Sequence, residues 1–272
     1  MITVFTIRLY AEEPVTLPEF SGTVAKSVFL KLVAAADAQA ALRAHQGAKP
    51  RPYSVTPLLL NGAPAPRLTP PGATLELRVA IADDALAEKL LHAIVAGHAY
   101  TLQLGAARLR TASIDSAMLS HSDLPAGRFQ GAHVEYITPV RFSVAPTGKR
   151  HRPKFRLFPT PERLFNSLYK HWNLYAPPGM QAPDWIPQLV QDYVAESGYH
   201  IRRTALRGTG GRVFVGTTGW VNYIPVEDFD DHGWLTRLLA YGQLFNAGTG
   251  RSIGLGVMRY TPHPRREPPT PG

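Results

Sequence analysis

Four glycines fall within nine residues near the end of the chain: Gly248, Gly250, Gly254 and Gly256, with Arg251 and Ser252 between them. Glycine lets a backbone turn tightly and come close to a ligand. Arginine and serine offer donors suited to phosphate oxygens. The stretch therefore reads as a loop able to hold a phosphate backbone. It is not the dinucleotide fingerprint, because the sixth residue counted from Gly248 is Ile253. The order of elements also disagrees: an apolar helical run from Leu238 precedes this loop and a strand follows it, the reverse of a strand–loop–helix unit. A P-loop fails as well, since Phe245 stands where its first glycine belongs. For the glycines alone, a tight turn into a packed strand is an equal reading.

The distribution of charge favours the phosphate reading. The chain has 272 residues, Lys plus Arg exceed Asp plus Glu by 29 to 20, and the pI is near 9.9. Between Arg141 and Lys170 lie Lys149, Arg150, Arg152, Lys154, Arg156 and Arg163, with Glu162 the only acid. Between His200 and Arg212 lie Arg202, Arg203 and Arg207, with no acid. Runs of one sign are the electrostatic footprint of a nucleic-acid binder. There is no cysteine, which excludes disulfides and thiolate metal sites. The histidines form no compact metal spacing, and Asp228, Asp230 and Asp231 sit where they would cap a helix. No metal and no cofactor is expected. No stretch approaches the roughly 18 apolar residues of a membrane span, and the start of the chain alternates like a strand rather than a signal peptide. A soluble, cytoplasmic protein without a membrane partner is expected.

Stepping along the chain, alternation and helical spacing give strand Ile2–Ala11, helix Thr23–Ala36 with a second piece Asp37–Ala44, and strands Pro52–Leu60 and Ala73–Ile81. Helix Ala85–Ala96 and strand Tyr100–Leu109 follow. The order is the ferredoxin-like βαββαβ unit. It recurs after a break at Ser122–Gln130: strand His133–Ala145, helices Pro161–Tyr175 and Trp185–Ser197, strands Tyr199–Leu206 and Arg212–Val226, helix Asp230–Phe245 and strand Val257–Tyr260. The expected class is α+β, two tandem ferredoxin-like (RRM-like) domains at 1–124 and 130–262, with a flexible tail at 263–272.

Two such units with a glycine loop before the last strand resemble the CRISPR-associated endoribonucleases that cut repeat transcripts, RAMP proteins of the Cas6 type. The likeness is most specific at Gly219-Trp-Val-Asn-Tyr-Ile-Pro and over Leu238–Tyr260, where G-x-G-x-x-x-G-x-G appears as Gly248 to Gly256. The resemblance implies metal-independent cleavage of CRISPR repeat RNA (pre-crRNA) to crRNA. The RNA's own 2′-hydroxyl attacks the adjacent phosphate, leaving a 2′,3′-cyclic phosphate and a 5′-hydroxyl. It implies no cofactor. It leaves open further CRISPR effector subunits as partners, and a monomer or a homodimer.

The same resemblance places a general acid or base at His45, with a cation a few residues on at Lys49 or Arg51. A histidine titrates near neutrality and can move the protons of this reaction, and a nearby cation can stabilise charge on the phosphorane. Without the resemblance, His45 is simply a polar residue at a helix end, where a cation suits the dipole; Lys49 and Arg51 can equally be phosphate contacts only. Some family members carry a tyrosine in the first helix. Here Val28, Phe29 and Leu30 occupy that region, so a histidine-plus-cation site is expected. RNA contacts are expected from Gly248, Gly250, Arg251, Ser252, Gly254 and Gly256, and from Lys149, Arg150, Arg152, Lys154, Arg202 and Arg203. The alternative is a non-catalytic RNA-binding RAMP subunit of an effector complex.

Overall fold

The computed structural model describes residues 1–47, 50–104, 107–144 and 154–263. Lys49, Lys149, Arg150, Arg152 and the tail from 264 onward lie outside the described residues. The first unit runs β1 (Ile2–Ala11), β2 (Val15–Thr16), α1 (Gly22–Ala36), α2 (Ala38–Gln46), β3 (Tyr53–Val55), β4 (Leu59–Leu60), β5 (Ala63–Pro64), β6 (Leu68–Thr69), β7 (Thr74–Ile81), α3 (Asp84–Val95), β8 (Thr101–Leu104) and β9 (Ala107–Leu119). Strand β1 lies between β7 and β9, antiparallel to both, and β3 and β4 pair with the far side of β7. This is the ferredoxin-like order. The single strand expected over Pro52–Leu60 is split, because Pro57 has no N–H to give a ladder. The single strand expected over Tyr100–Leu109 is instead β8 and the start of β9, which pair as a hairpin, and β9 runs on to Leu119.

The second unit runs β10 (Ala132–Val140), β11 (Phe142–Val144), β12 (Lys154–Arg156), α4 (Pro161–Tyr175), α5 (Ile186–Tyr193), β13 (Val194–Arg207), β14 (Val213–Pro225), α6 (Trp234–Phe245) and β15 (Met258–Pro262). Its sheet has the order β13-β14-β10-β15, the same winding as the first. Asp231, fully buried, starts α6: its carboxylate accepts from the Leu235 amide at 2.9 Å and the Phe129 amide at 3.2 Å. Two cores result. Phe5, Ile7 and Leu9 on one face of β1 pack with Val28, Phe29 and Leu32 of α1 and Leu86 and Leu90 of α3. The opposite face gives Ile2 and Ala80 to the second core, among Trp172 of α4 and Tyr241 of α6.

The first sheet thus lies over the helices of the second unit, and polar groups fasten the seam. The end of α6 leaves carbonyls without helical partners. Arg78 donates to the Gln243 carbonyl at 2.7 Å and Ser54 to that of Leu244 at 2.8 Å. A cation there also suits the helix dipole. Among the described residues no helix is long and apolar enough to cross a membrane.

Candidate functional site

The glycine-rich loop follows α6 and is built against the protein's own backbone. Gly248, Gly250, Gly254 and Gly256 have φ of +68°, +93°, +78° and +70°, the left-handed region that favours glycine. A Cβ at Gly256 would lie 1.9 Å from the Ala247 carbonyl oxygen, and one at Gly248 would lie 2.3 Å from that of Arg141. At Gly254 it would meet the Pro57 nitrogen at 2.7 Å, across the seam. The loop's amides are largely committed. Thr249 donates to the Arg141 carbonyl at 2.8 Å, Gly256 to Pro139 at 3.1 Å and Gly248 to the Ser167 hydroxyl at 3.1 Å. Ile253, Gly254 and Leu255 bond within the loop.

Arg251 differs most from its expected place. It is 5% exposed, and its guanidinium donates to the carbonyls of Ser167 at 2.7 Å and Gly248 at 3.1 Å and to the Ser167 hydroxyl at 3.2 Å. Burial lowers its pKa to about 10, with Tyr241 pulling the other way. A guanidinium spent on protein carbonyls is a clamp for the loop, so its expected role as a free phosphate contact is corrected. Ser252 is half-buried beside it. The loop's motif was legible, but its inward direction was not.

His45 is presented differently. Helix α2 starts at Asp37, whose side chain accepts from the Ala40 amide at 2.9 Å, and ends with Arg43 and His45 in its last turn. His45 is exposed there. The half-buried Arg51 folds back so that its guanidinium donates to the His45 carbonyl, a cation at a helix C-terminus. The structure therefore brings two of the three expected catalytic residues together. Beside them is a cleft of about 280 Å³ lined by Arg43, Arg51 and Lys89, with Asp83 the one acid among the described residues that line it and Tyr175 reaching in from α4. Arg43 and Lys89 were not singled out in the sequence. Their signal, cations on neighbouring helices, shows only once α2 and α3 are side by side.

The backbone of this segment is held from the second unit. The Tyr175 hydroxyl donates to the Pro50 carbonyl. His171 Nε2 donates to that of Arg51 at 2.9 Å. Tyr53, buried next to the segment, has a hydroxyl pushed up to about 12 by burial, with the Arg51 charge opposing.

The β11–β12 hairpin, which carries part of the basic run, is tied to the loop. Ser143 of β11 donates to the Thr249 hydroxyl at 3.1 Å, and Arg141 stacks over Phe155 of β12 with its guanidinium carbon 4.2 Å from the ring centre. Lys154 and Arg156 are exposed on β12, and Arg202 and Arg203 on the edge strand β13. Phe158 and Tyr199, 5.3 Å apart, join the two strands' surroundings. Arg202 pairs with Thr218 and Arg203 with Thr217. The two arginines therefore point to opposite faces of the sheet and cannot share one contact surface. Among the described residues no three His, Cys, Asp or Glu side chains gather as a metal site would need.

Residues 134–258, the stretch holding the second sheet, α6 and the glycine loop, match the sequence profile of the CRISPR-associated endoribonuclease Cas6. That match spans slightly less than half of the chain. The likeness in fold extends over nearly all of the chain. A Cas6 product complex superposes with a TM-score of 0.77 at 23% identity, over 96% of this chain and 99% of the other. A second Cas6 product complex gives 0.73 at 18%, covering 96% and 100%. Thermus thermophilus Cas6 gives 0.67 at 19%, covering 96% and 98%. No curated protein sequence matches the chain. The Cas6 profile thus rests on the half that holds the loop, while His45 and Arg51 lie in the half that shares the Cas6 fold only.

Proposed function

We propose that this chain is an endoribonuclease that cuts CRISPR repeat RNA to produce crRNA. The observation that carries the reading is the Cas6 match over residues 134–258, on a chain whose fold follows Cas6 structures solved as product complexes and with a substrate mimic. One Cas6 of the same fold was solved as a histidine-to-alanine mutant, and another relative is described as a RAMP protein binding different RNA substrates.

In the proposed reaction the 2′-oxygen of the nucleotide before the cut bonds to the adjacent phosphorus. The bond from phosphorus to the 5′-oxygen breaks. The 2′-hydroxyl loses a proton and the leaving 5′-oxygen gains one, which accounts for the 2′,3′-cyclic phosphate and the 5′-hydroxyl. His45 moves one of these protons. It suits the task because an imidazole can both accept and donate a proton and because His45 is exposed at the end of α2, where an RNA strand can reach it. Arg51, Arg43 and Lys89 line the cleft beside it and supply positive charge for the phosphate. The resemblance offers Lys49 as the alternative to Arg51 for this role. The nucleophile belongs to the RNA, so the reaction needs no metal-bound hydroxide. The exposed cations of β12, with Arg202 from one face of β13, track the RNA backbone, each phosphate contact releasing counterions.

The test uses the purified chain, its labelled repeat RNA and excess chelator. Cleavage at one position, abolished by a single 2′-deoxy nucleotide before the cut, is expected. Binding without cleavage would replace this reading with that of a non-catalytic RAMP subunit. Cleavage that chelator stops and added metal restores would reject the metal-independent mechanism.

A further inference from the structure

One face of α4 carries Ser167, His171 and Tyr175, four residues apart in each step. At 1.5 Å rise per residue, each lies about 6 Å along the helix from the last, on the same stripe. The stripe is polar and faces the seam between the units, where an apolar stripe would pack without direction. Each member holds a different piece of chain.

The Ser167 hydroxyl donates to the Leu164 carbonyl at 2.9 Å in its own helix. It accepts from the Gly248 amide at 3.1 Å and from Arg251 at 3.2 Å, so it holds the glycine-rich loop. One turn on, His171 is 1% exposed. A carbonyl can only accept, so Nε2 carries the proton and donates to Arg51 at 2.9 Å; Nδ1 then accepts from the Tyr241 hydroxyl at 2.7 Å. Both ring nitrogens are satisfied in the neutral form. Burial, and then the Arg251 charge, hold the imidazole well below its ordinary range, which keeps that form in place. One turn further, the Tyr175 hydroxyl donates to the Pro50 carbonyl.

We propose that Ser167, His171 and Tyr175 are positioning residues: a three-step ruler on α4 that sets the Pro50–Arg51 segment, and through Arg51 the His45 end of α2, at a fixed distance from the glycine-rich loop. The functional consequence rests on the proposed cleavage reaction. His45 sits at the end of a nine-residue helix on the first unit, while the loop and the basic strands belong to the second. RNA that touches both must be offered to His45 in register. The hydrogen bonds to consecutive carbonyls, Pro50 and Arg51, fix both the position and the rotation of that backbone.

The experiment compares the parent with Tyr175→Phe, His171→Leu and His171→Gln. Tyr175→Phe removes only the donor to Pro50. His171→Leu removes the donor to Arg51, and the Gln side chain can place an amide N–H near the lost Nε2. Two readouts are taken on each folded variant: amide hydrogen exchange of residues 47–53, read at Gly47, Arg51 and Tyr53 because Pro50 and Pro52 carry no amide hydrogen, and single-turnover cleavage of repeat RNA at saturating protein, with RNA affinity measured separately. Exchange at 47–53 should rise in Tyr175→Phe and His171→Leu while that of the β1–β7 and β1–β9 ladders stays at the parent level. Cleavage should fall about 10- to 100-fold, the scale on which small misplacements act, with affinity within about twofold. His171→Gln should recover much of both. If His171→Leu does not fold, Tyr175→Phe still decides, because its hydroxyl lies at the half-buried rim. Unchanged exchange at 47–53 overturns the ruler. Raised exchange with parental cleavage overturns its functional role. A parent that does not cut at all defeats the cleavage reading instead, and exchange alone then judges the ruler.

Discussion

Arg251 and Arg51 both lie just after a helix, each in a segment whose residue types suggest phosphate chemistry, and they meet opposite fates. Arg251 is buried, and its guanidinium is divided among the carbonyls of Ser167, Gly248 and, at 3.5 Å, Phe245. Arg51 is half-buried at the edge of a cleft it shares with Arg43 and Lys89. One cation is used to hold the loop in shape; the other lines an open cleft beside two further cations. The same division separates the two segments. The glycine-rich loop is the rigid member, closed by its own amides. The His45 turn is the open member, held by its carbonyls from behind so that its side chains are left to the solvent side. A motif rich in phosphate-binding residue types can therefore be mostly architecture, while His45, the proposed proton carrier, stands on a short helix with little signal of its own.

The comparison breaks first if the loop is not rigid. Gly256→Val adds a β-branched side chain at φ +70°, with its Cβ placed 1.9 Å from the Ala247 carbonyl oxygen. Backbone strain and the clash together should cost several kcal/mol. The melting curve should show loss of the cooperative transition or a large fall in Tm. A variant melting within a degree or two of the parent would mean the loop yields, and that its glycines are not required by packing.

A smaller effect sharpens the contrast between the cations. Arg251→Ala removes several hydrogen bonds from a charged, buried group and should destabilise the fold by about 2 kcal/mol or more. Measured on the fraction that remains folded, the salt dependence of RNA affinity should equal the parent's. Arg202→Ala should do the reverse: Tm hardly moves, and the slope of log affinity against log salt flattens by about 1. If Arg251→Ala melts like the parent and flattens that slope, the buried clamp is wrong and Arg251 meets phosphate.

The two ferredoxin-like units were legible because strand alternation and helical spacing survive in each element. What failed was decided by partners far away in sequence. The helix expected over Trp185–Ser197 stops at Tyr193, because Val194 onward pairs with β14, with Val194 opposite Pro225; tertiary pairing overrides local spacing. The glycine pattern was visible, but the direction in which Arg251 points is set by Ser167, 84 residues away. The polar spacing of Ser167, His171 and Tyr175 can be seen in the sequence, yet nothing local shows that it meets Pro50 and Arg51. His45 carried only its residue type and its place after the first helices, and a resemblance was needed to distinguish it from the other histidines.

The central claim is that His45, on the open member of the pair, moves a proton in RNA cleavage. The most direct measurement is the single-turnover cleavage rate of repeat RNA by His45→Ala beside the parent, with chelator present and affinity determined in parallel. A fall of at least ~100-fold with affinity nearly unchanged is predicted, the scale of general acid–base catalysis. A variant that cuts at the parental rate would contradict the account.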